Sequence, residues 1–171
     1  EAFPVINSLK RAGISKVVMM TGDSERTARA VAAQIGVDEY YSEVLPEDKA
    51  GYVEREKAAG RKVIMIGDGI NDSPALSAAD VGIAISDGAE IAREIADVTI
   101  GADNLYEIVT LKAISNGLMK RIHKNYRSII LINAGLIALG VTGIIQPTTS
   151  ALLHNTSTLV IGLKSMQNLI D

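Results

Sequence analysis

At 171 residues the chain has room for about one domain of ordinary size and a moderate core. A net charge of -3 disfavours a basic nucleic-acid binder, so no nucleic-acid partner is expected. With no cysteine there is no disulfide, no thiolate ligand and no thiol nucleophile, and any metal or phosphate chemistry must use oxygen and nitrogen donors.

Residues 16–20 form a short apolar run of β type. It is followed by Thr21-Gly22-Asp23-Ser24 and then by Ala28, Val31, Ala32 and Ile35 at helical spacing, with Gly36 as the C-cap. Pro46 opens a second helical segment over 46–59, ended by Gly60, and a buried strand over 63–66 runs into Gly67-Asp68-Gly69. A short helix over 73–79 leads to a strand over 81–85; a helix over 88–96 and a last strand over 98–100 follow. Strands alternating with helices predict parallel pairing in an open α/β sheet.

From 104 to about 145 the helical period does not clearly break, which predicts a long helix or a near-continuous pair, with Asp103 as its cap. Charges recur every few positions up to Arg127, whereas from Ser128 onward only Lys164 and Asp171 are charged. The uncharged run 129–145 covers about 25 Å as a helix, slightly less than a ~30 Å hydrocarbon core, and with its flanks is expected to span a membrane. Lys120, Arg121, Lys124 and Arg127 precede it, which by the positive-inside rule puts the α/β part in the cytoplasm. Gln146-Pro147 is expected to turn the chain, and 148–163 to return as a second span ending near Lys164. The expected organisation is an α/β domain over 1–103, a linker helix over 104–128 and a transmembrane hairpin over 129–171.

Three stretches could carry chemistry. Gly67-Asp68-Gly69-Ile70-Asn71-Asp72 follows directly on a buried strand, at the edge of the sheet where open α/β folds bind ligands. Two carboxylates four positions apart suit a hard cation such as Mg²⁺, and the glycines let backbone N–H groups approach a phosphate. The same residues are also ordinary turn formers. Thr21-Gly22-Asp23 sits equivalently before a helix N-terminus, where a hydroxyl and free N–H groups hold an anion or simply cap the helix. Lys49, just inside the helix opened by Pro46, is either a cation for a phosphoryl oxygen or a solvated surface charge.

Taken together, MTGD, PEDK and GDGINDSPAL resemble, in order and spacing, the later phosphorylation-domain motifs of P-type ATPases, members of the haloacid dehalogenase-like superfamily. The resemblance implies the second half of a phosphorylation domain followed by the last two transmembrane helices. Residue by residue, it implies that Thr21 and Gly22, with Asp23 beside them, hold a phosphoryl group and that Lys49 neutralises its charge. It implies that Asp68 ligates Mg²⁺, that Asn71 hydrogen-bonds phosphate, that Asp72 supports the metal, and that Gly67 and Gly69 shape the loop. These roles suit phosphoryl transfer, which is mainly positioning and charge stabilisation. One departure stands out: the chain contains no D-K-T-G run, whose Asp is the nucleophile of the family. ATP would therefore be bound mainly by other parts of the same polypeptide, and the chain alone is expected to be inert.

In the predicted spans, polar residues call for a reason. Asn133 lies in the first, and His154, Asn155, Thr156, Ser157 and Thr158 lie in the second, with His154 and Thr158 one turn apart. They serve either helix–helix hydrogen bonding or a cation path in which His154 offers an imidazole nitrogen, with Asn133, Asn155 and Thr158 as oxygen donors. The short turn and polar second span resemble the heavy-metal subgroup, implying a transported metal cation and membrane lipid as partners and a plasma-membrane location. The rival readings are a membrane-tethered phosphatase of the same superfamily and a non-catalytic membrane partner.

Overall fold

The computed structural model describes residues 2–68, 71–85, 94–101 and 105–169. The chain divides into two compact units, Glu1–Thr110 and Leu111–Asp171.

The first unit holds helix α1 (Ala2–Arg11), strand β1 (Val18–Met20), α2 (Glu25–Ile35), β2 (Glu39–Tyr41), α3 (Pro46–Ala58), β3 (Ile64–Gly67), α4 (Ser73–Ala78), β4 (Val81–Ile85) and β5 (Val98–Ile100). All described pairings are parallel, as the alternation predicts. The strands lie in two sheets, β1–β2 and β3–β4–β5, rather than in one continuous sheet. In the second, β4 is central, and its Ile83 and Ala84 are buried. A core of Val53 from α3, Met65 from β3 and Ala75 and Leu76 from α4 is flanked by Met20 at the end of β1, so both sheets contribute to one apolar cluster.

Three aspartates set the register of the parallel strands by one device. Asp38, Asp80 and Asp97 each stand immediately before a strand, and each is joined twice to a residue at the start of the neighbouring strand. The Asp38 N–H donates to the Val17 carbonyl at 2.9 Å, while Val17 N–H donates to Asp38 Oδ2 at 2.8 Å. Asp80 does the same with Val63 at 3.0 and 2.9 Å, and Asp97 with Gly82 at 2.9 and 2.8 Å. The side chain thus supplies the bond that a further strand residue would have made, and charge on the acceptor strengthens it.

Several boundaries differ from expectation. The first strand begins at Val18, not 16, because Val17 is engaged by Asp38 instead of the ladder. Helix α1 and strand β2 are additions. β2 has two of its three residues exposed, so it shows no apolar alternation, while α1 buries Val5, Ile6 and Leu9. Gly36 ends α2 as predicted, at φ 77°, a left-handed conformation that favours glycine, with its N–H on the Ala32 carbonyl. The expected helix over 88–96 lies mostly outside the described residues, as do Gly69 and the cap Asp103.

In the second unit, α5 (Tyr106–Val141, of which the residues from Leu111 belong here) and α6 (Pro147–Ser165) form a hairpin. It is antiparallel: Arg121 and Asn125 meet residues 165–168, and Asn133 meets His154. The turn is longer than Gln146-Pro147, since α5 ends at Val141 and Gly143 adopts φ 73°. No helix among the described residues is long and apolar enough to cross a membrane. The expected first span falls short because its apolar part within α5, residues 129–141, covers only about 20 Å at 1.5 Å per residue, and the preceding turns carry Lys120, Arg121, Lys124 and Arg127. In α6 the polar run from His154 to Thr158 lowers the apolar content.

Candidate functional site

The loops after β1 and β3 both leave the C-terminal ends of parallel strands, and a chain of contacts joins them. The Val44 N–H donates to the Thr21 carbonyl at 3.0 Å, and the Glu43 N–H to that of Asp23 at 2.9 Å, so the first loop is fastened to the segment that leads into α3. Leu45 is the N-cap of α3 and Pro46 its first residue; the proline fixes the backbone there without losing an internal bond. One turn further on, Lys49 reaches across to the second loop, its Nζ 2.7 Å from Asp72 Oδ1.

Asp72 sits at the N-cap of α4 yet does not cap it. Its carbonyl accepts the Leu76 N–H at 2.8 Å, but its carboxylate is turned back to Lys49 and over Gly67. A Cβ on residue 67 would lie 2.4 Å from Asp72 Oδ2, so the close approach of this carboxylate to the end of β3 requires glycine there. Asp72 is 8% exposed, the only buried charged residue among those described. A buried carboxylate must be paired, and Lys49 supplies the pairing charge.

Asp68 and Asn71 are exposed on either side of the undescribed Gly69 and Ile70. Thr21 Oγ1 donates to Asp23 Oδ2 at 3.0 Å and accepts the Asp23 N–H at 3.1 Å, a local turn that shapes the loop before α2. Ser24, the N-cap of α2, makes no side-chain bond to the helix backbone, its hydroxyl lying 3.2 Å from that of Thr27. Of the sequence-predicted residues, the structure joins Lys49 directly to Asp72, stacks Asp72 on Gly67, and ties the Thr21 loop to the start of the helix that carries Lys49. Among the described residues no group of three or more His, Asp or Glu side chains could hold a metal. Two aspartates on one loop still match Mg²⁺, which usually takes one or two carboxylates and keeps waters and phosphate oxygens in its other positions.

In the second unit, Asn133 Oδ1 and His154 Nδ1 are 2.8 Å apart. The hydroxyls of Ser157 and Thr158 donate back to the His154 carbonyl at 2.8 and 3.0 Å, so they are spent within the helix. Asn133, His154 and Asn155 line an open groove of about 700 Å³ with Leu136, Gly140 and Ser150. Sequence reasoning missed the way α6 is anchored. The Arg121 guanidinium donates to the carbonyls of Ser165, Gln167 and Asn168, and Asn125 donates to Ser165 Oγ. The only sequence signal was a basic cluster, which spoke for the membrane surface instead.

The haloacid dehalogenase-like hydrolase family matches residues 1–80. The manganese-exporting P-type ATPase of Mycobacterium leprae is 39% identical over 162 residues, 94% of this chain and 22% of that protein. Copper-transporting ATPase 1 of Rhizobium meliloti is 44% identical over 138 residues, 81% of this chain and 17% of that protein. Among solved structures, a zinc-transporting PIB-type ATPase in its E2.Pi state matches 99% of this chain and 27% of its own, at 30% identity and a TM-score of 0.77. The chain therefore matches a haloacid dehalogenase-like hydrolase over residues 1–80. It is homologous to part of the heavy-metal-transporting P-type ATPases, and spans about a fifth of the length of the relatives it matches.

Proposed function

We propose that the chain is part of an ATP-driven pump for a transition-metal cation, in which residues 1–103 supply the phosphate- and Mg²⁺-holding side of the phosphorylation site. What carries this reading is the Lys49–Asp72 pair: a cation and a buried carboxylate from two elements meet beside the loop of Asp68 and Asn71. Asp68 and Asp72 would hold Mg²⁺, which when bound offsets charge on the transferring phosphoryl group. Lys49 then stands beside phosphoryl oxygens, Asn71 hydrogen-bonds one of them, and Thr21, Gly22 and Asp23 border the same group from the first loop. The nucleophile and most contacts to ATP come from the rest of the polypeptide, for this sequence has no D-K-T-G run.

Residues 129–171, with their hairpin, then belong to the membrane part, joined through residues 104–128, with the α/β domain on the cytoplasmic side. Supporting this are large apolar side chains left exposed on both helices, among them Leu131 at 72%, Ile137 at 66% and Val141 at 84%, and the lack of charge between Ser128 and Leu163. Lipid and neighbouring helices of the pump would cover them. His154 lies on the ion path, its imidazole suited to zinc, manganese, cobalt or copper. The relatives carry different metals by name, so the cargo is assigned here only as a transition-metal cation. In a phosphatase tethered to a membrane the His154 and Asn133 pairing would serve only to join the two helices.

The test is metal-stimulated ATP hydrolysis by the full-length protein. Asp68→Ala and Lys49→Ala should each lower turnover by about 10²–10³-fold, the size expected for loss of a group that stabilises transition-state charge. Wild-type rates in either variant would remove the proposal. The 171-residue chain by itself should form no phosphoenzyme from labelled ATP.

A further inference from the structure

We infer that Asn133 is a positioning residue: by accepting a hydrogen bond from His154 Nδ1–H, it holds the imidazole in the tautomer that leaves Nε2 open to a divalent cation. The inference rests on the ion-path reading of His154 and adds to it a role for Asn133 different from that of a ligand. Asn133 Oδ1 is an acceptor, so at 2.8 Å the histidine nitrogen facing it must carry the proton. The lone pair of the neutral ring is then on Nε2. This is the reverse of the preference of free histidine in water, and it needs a fixed acceptor to maintain it.

The surroundings favour such an acceptor. Asn133 is half-buried on α5 and faces α6 across the hairpin, so its amide is held by a helix other than the one it orients. The hydroxyls of Ser157 and Thr158 meet the His154 carbonyl and not its ring, and it is the Asn133 oxygen that faces Nδ1. Those bonds also fasten the backbone beneath the imidazole. A metal-bound histidine commonly gives its second N–H to a carbonyl or carboxylate, which fixes the ring and raises its basicity. Here the side-chain carbonyl of Asn133 takes that place, and the groove lined by Asn133, His154, Asn155, Ser150 and Gly140 leaves room for a cation and its waters.

The two histidines of the chain make the test direct. The 171-residue chain, labelled with ¹⁵N-histidine and placed in lipid nanodiscs, is examined by long-range ¹H–¹⁵N NMR with and without Zn²⁺. His154 should show Nδ1–H and a bare Nε2 before metal is added, and Zn²⁺ should move the Nε2 signal. In Asn133→Ala the tautomer should revert to Nε2–H and zinc affinity should fall by about 10–100-fold. Asn133→Asp, which keeps the acceptor, should restore both. His123, whose Nδ1 lies 2.7 Å from the Met119 carbonyl, is the internal reference for an intact α5. An Nε2–H tautomer in the wild type, or an unchanged tautomer and affinity in Asn133→Ala, overturns the inference. A correct tautomer whose Nε2 signal ignores Zn²⁺ overturns instead the ion-path reading.

Discussion

Lys49 Nζ lies 2.7 Å from Asp72 Oδ1, and the two side chains are only 15% and 11% exposed, so this pair is the most enclosed of the ion pairs described. Truncating one member leaves the other charge in a site that water reaches poorly. Lys49→Ala should therefore destabilise the first unit by about 2–3 kcal/mol, somewhat below the range for a fully buried pair because some solvent contact persists. The double variant Lys49→Met with Asp72→Asn should regain most of that loss. Urea unfolding followed by circular dichroism measures both. A double variant as unstable as the single one would mean that the pair contributes more than mutual neutralisation.

The aspartates that clamp the strands make stability depend on acid. For Asp38, the Lys10 ammonium and then the Val17 N–H hold the carboxyl below its ordinary value of 3.8. For Asp80, the Val63 N–H and then Lys62 do so. Each carboxyl has a lower pKa folded than unfolded. Each therefore contributes its full stabilisation above about 3.8, and loses it as the pH falls through the lowered folded value. Urea midpoints taken from pH 7 down to 3 should drop at the acid end, and the drop should shrink in Asp80→Asn. That variant keeps an oxygen for the Val63 N–H but no longer titrates.

Much of this was legible because it depends on local pattern. The strands over 81–85 and 98–100 are short β-branched runs bounded by breakers, and the structure keeps both bounds. Gly36 and Pro46 mark helix ends through backbone geometry that no tertiary contact needs to enforce. Other features depend on partners distant in sequence. The spacing of Asp72 from Lys49 says nothing of which way the carboxylate turns; that follows from the absence of a side chain at Gly67. The late start of the first strand reflects Asp38 taking the Val17 N–H across 21 positions, and β2 lacks an apolar face because only its middle residue is covered. The membrane reading leaned on charge spacing, which does not disclose that α5 stops at Val141.

Arg121 acts as an added cap for α6. Its guanidinium donates to the carbonyl of Ser165, the last residue of that helix, where the negative end of the dipole lies, and to those of Gln167 and Asn168 just beyond it. Arg121→Ala should loosen the last turn without unfolding the hairpin, because the contact between Asn133 and His154 lies elsewhere along it. Hydrogen exchange should then speed up by about tenfold for amides near 163–167, matching the loss of roughly 1.4 kcal/mol of local protection. Amides around 133 should be unaffected. Arg121→Lys should recover only part of the protection, since a single ammonium does not present the same planar set of donors.

The proposed membrane position of residues 129–171 predicts which of their side chains a water-borne reagent can reach. These 171 residues hold no cysteine, so a cysteine introduced among them is the only one they carry, and the unsubstituted full-length protein gives the background from the rest of the polypeptide. Ile137 and Leu159 are exposed apolar residues on α5 and α6, and the proposed function has lipid or other helices of the pump cover both. Lys120 lies in the basic stretch assigned to the cytoplasmic face. In sealed right-side-out cells expressing the full-length protein, a membrane-impermeant maleimide should label none of Ile137→Cys, Leu159→Cys or Lys120→Cys. Opening the membrane should expose Lys120→Cys alone. Labelling of Ile137→Cys in intact cells at the rate of a free thiol would place that part of α5 in water, and the apolar side chains on α5 and α6 would then need a protein partner to cover them.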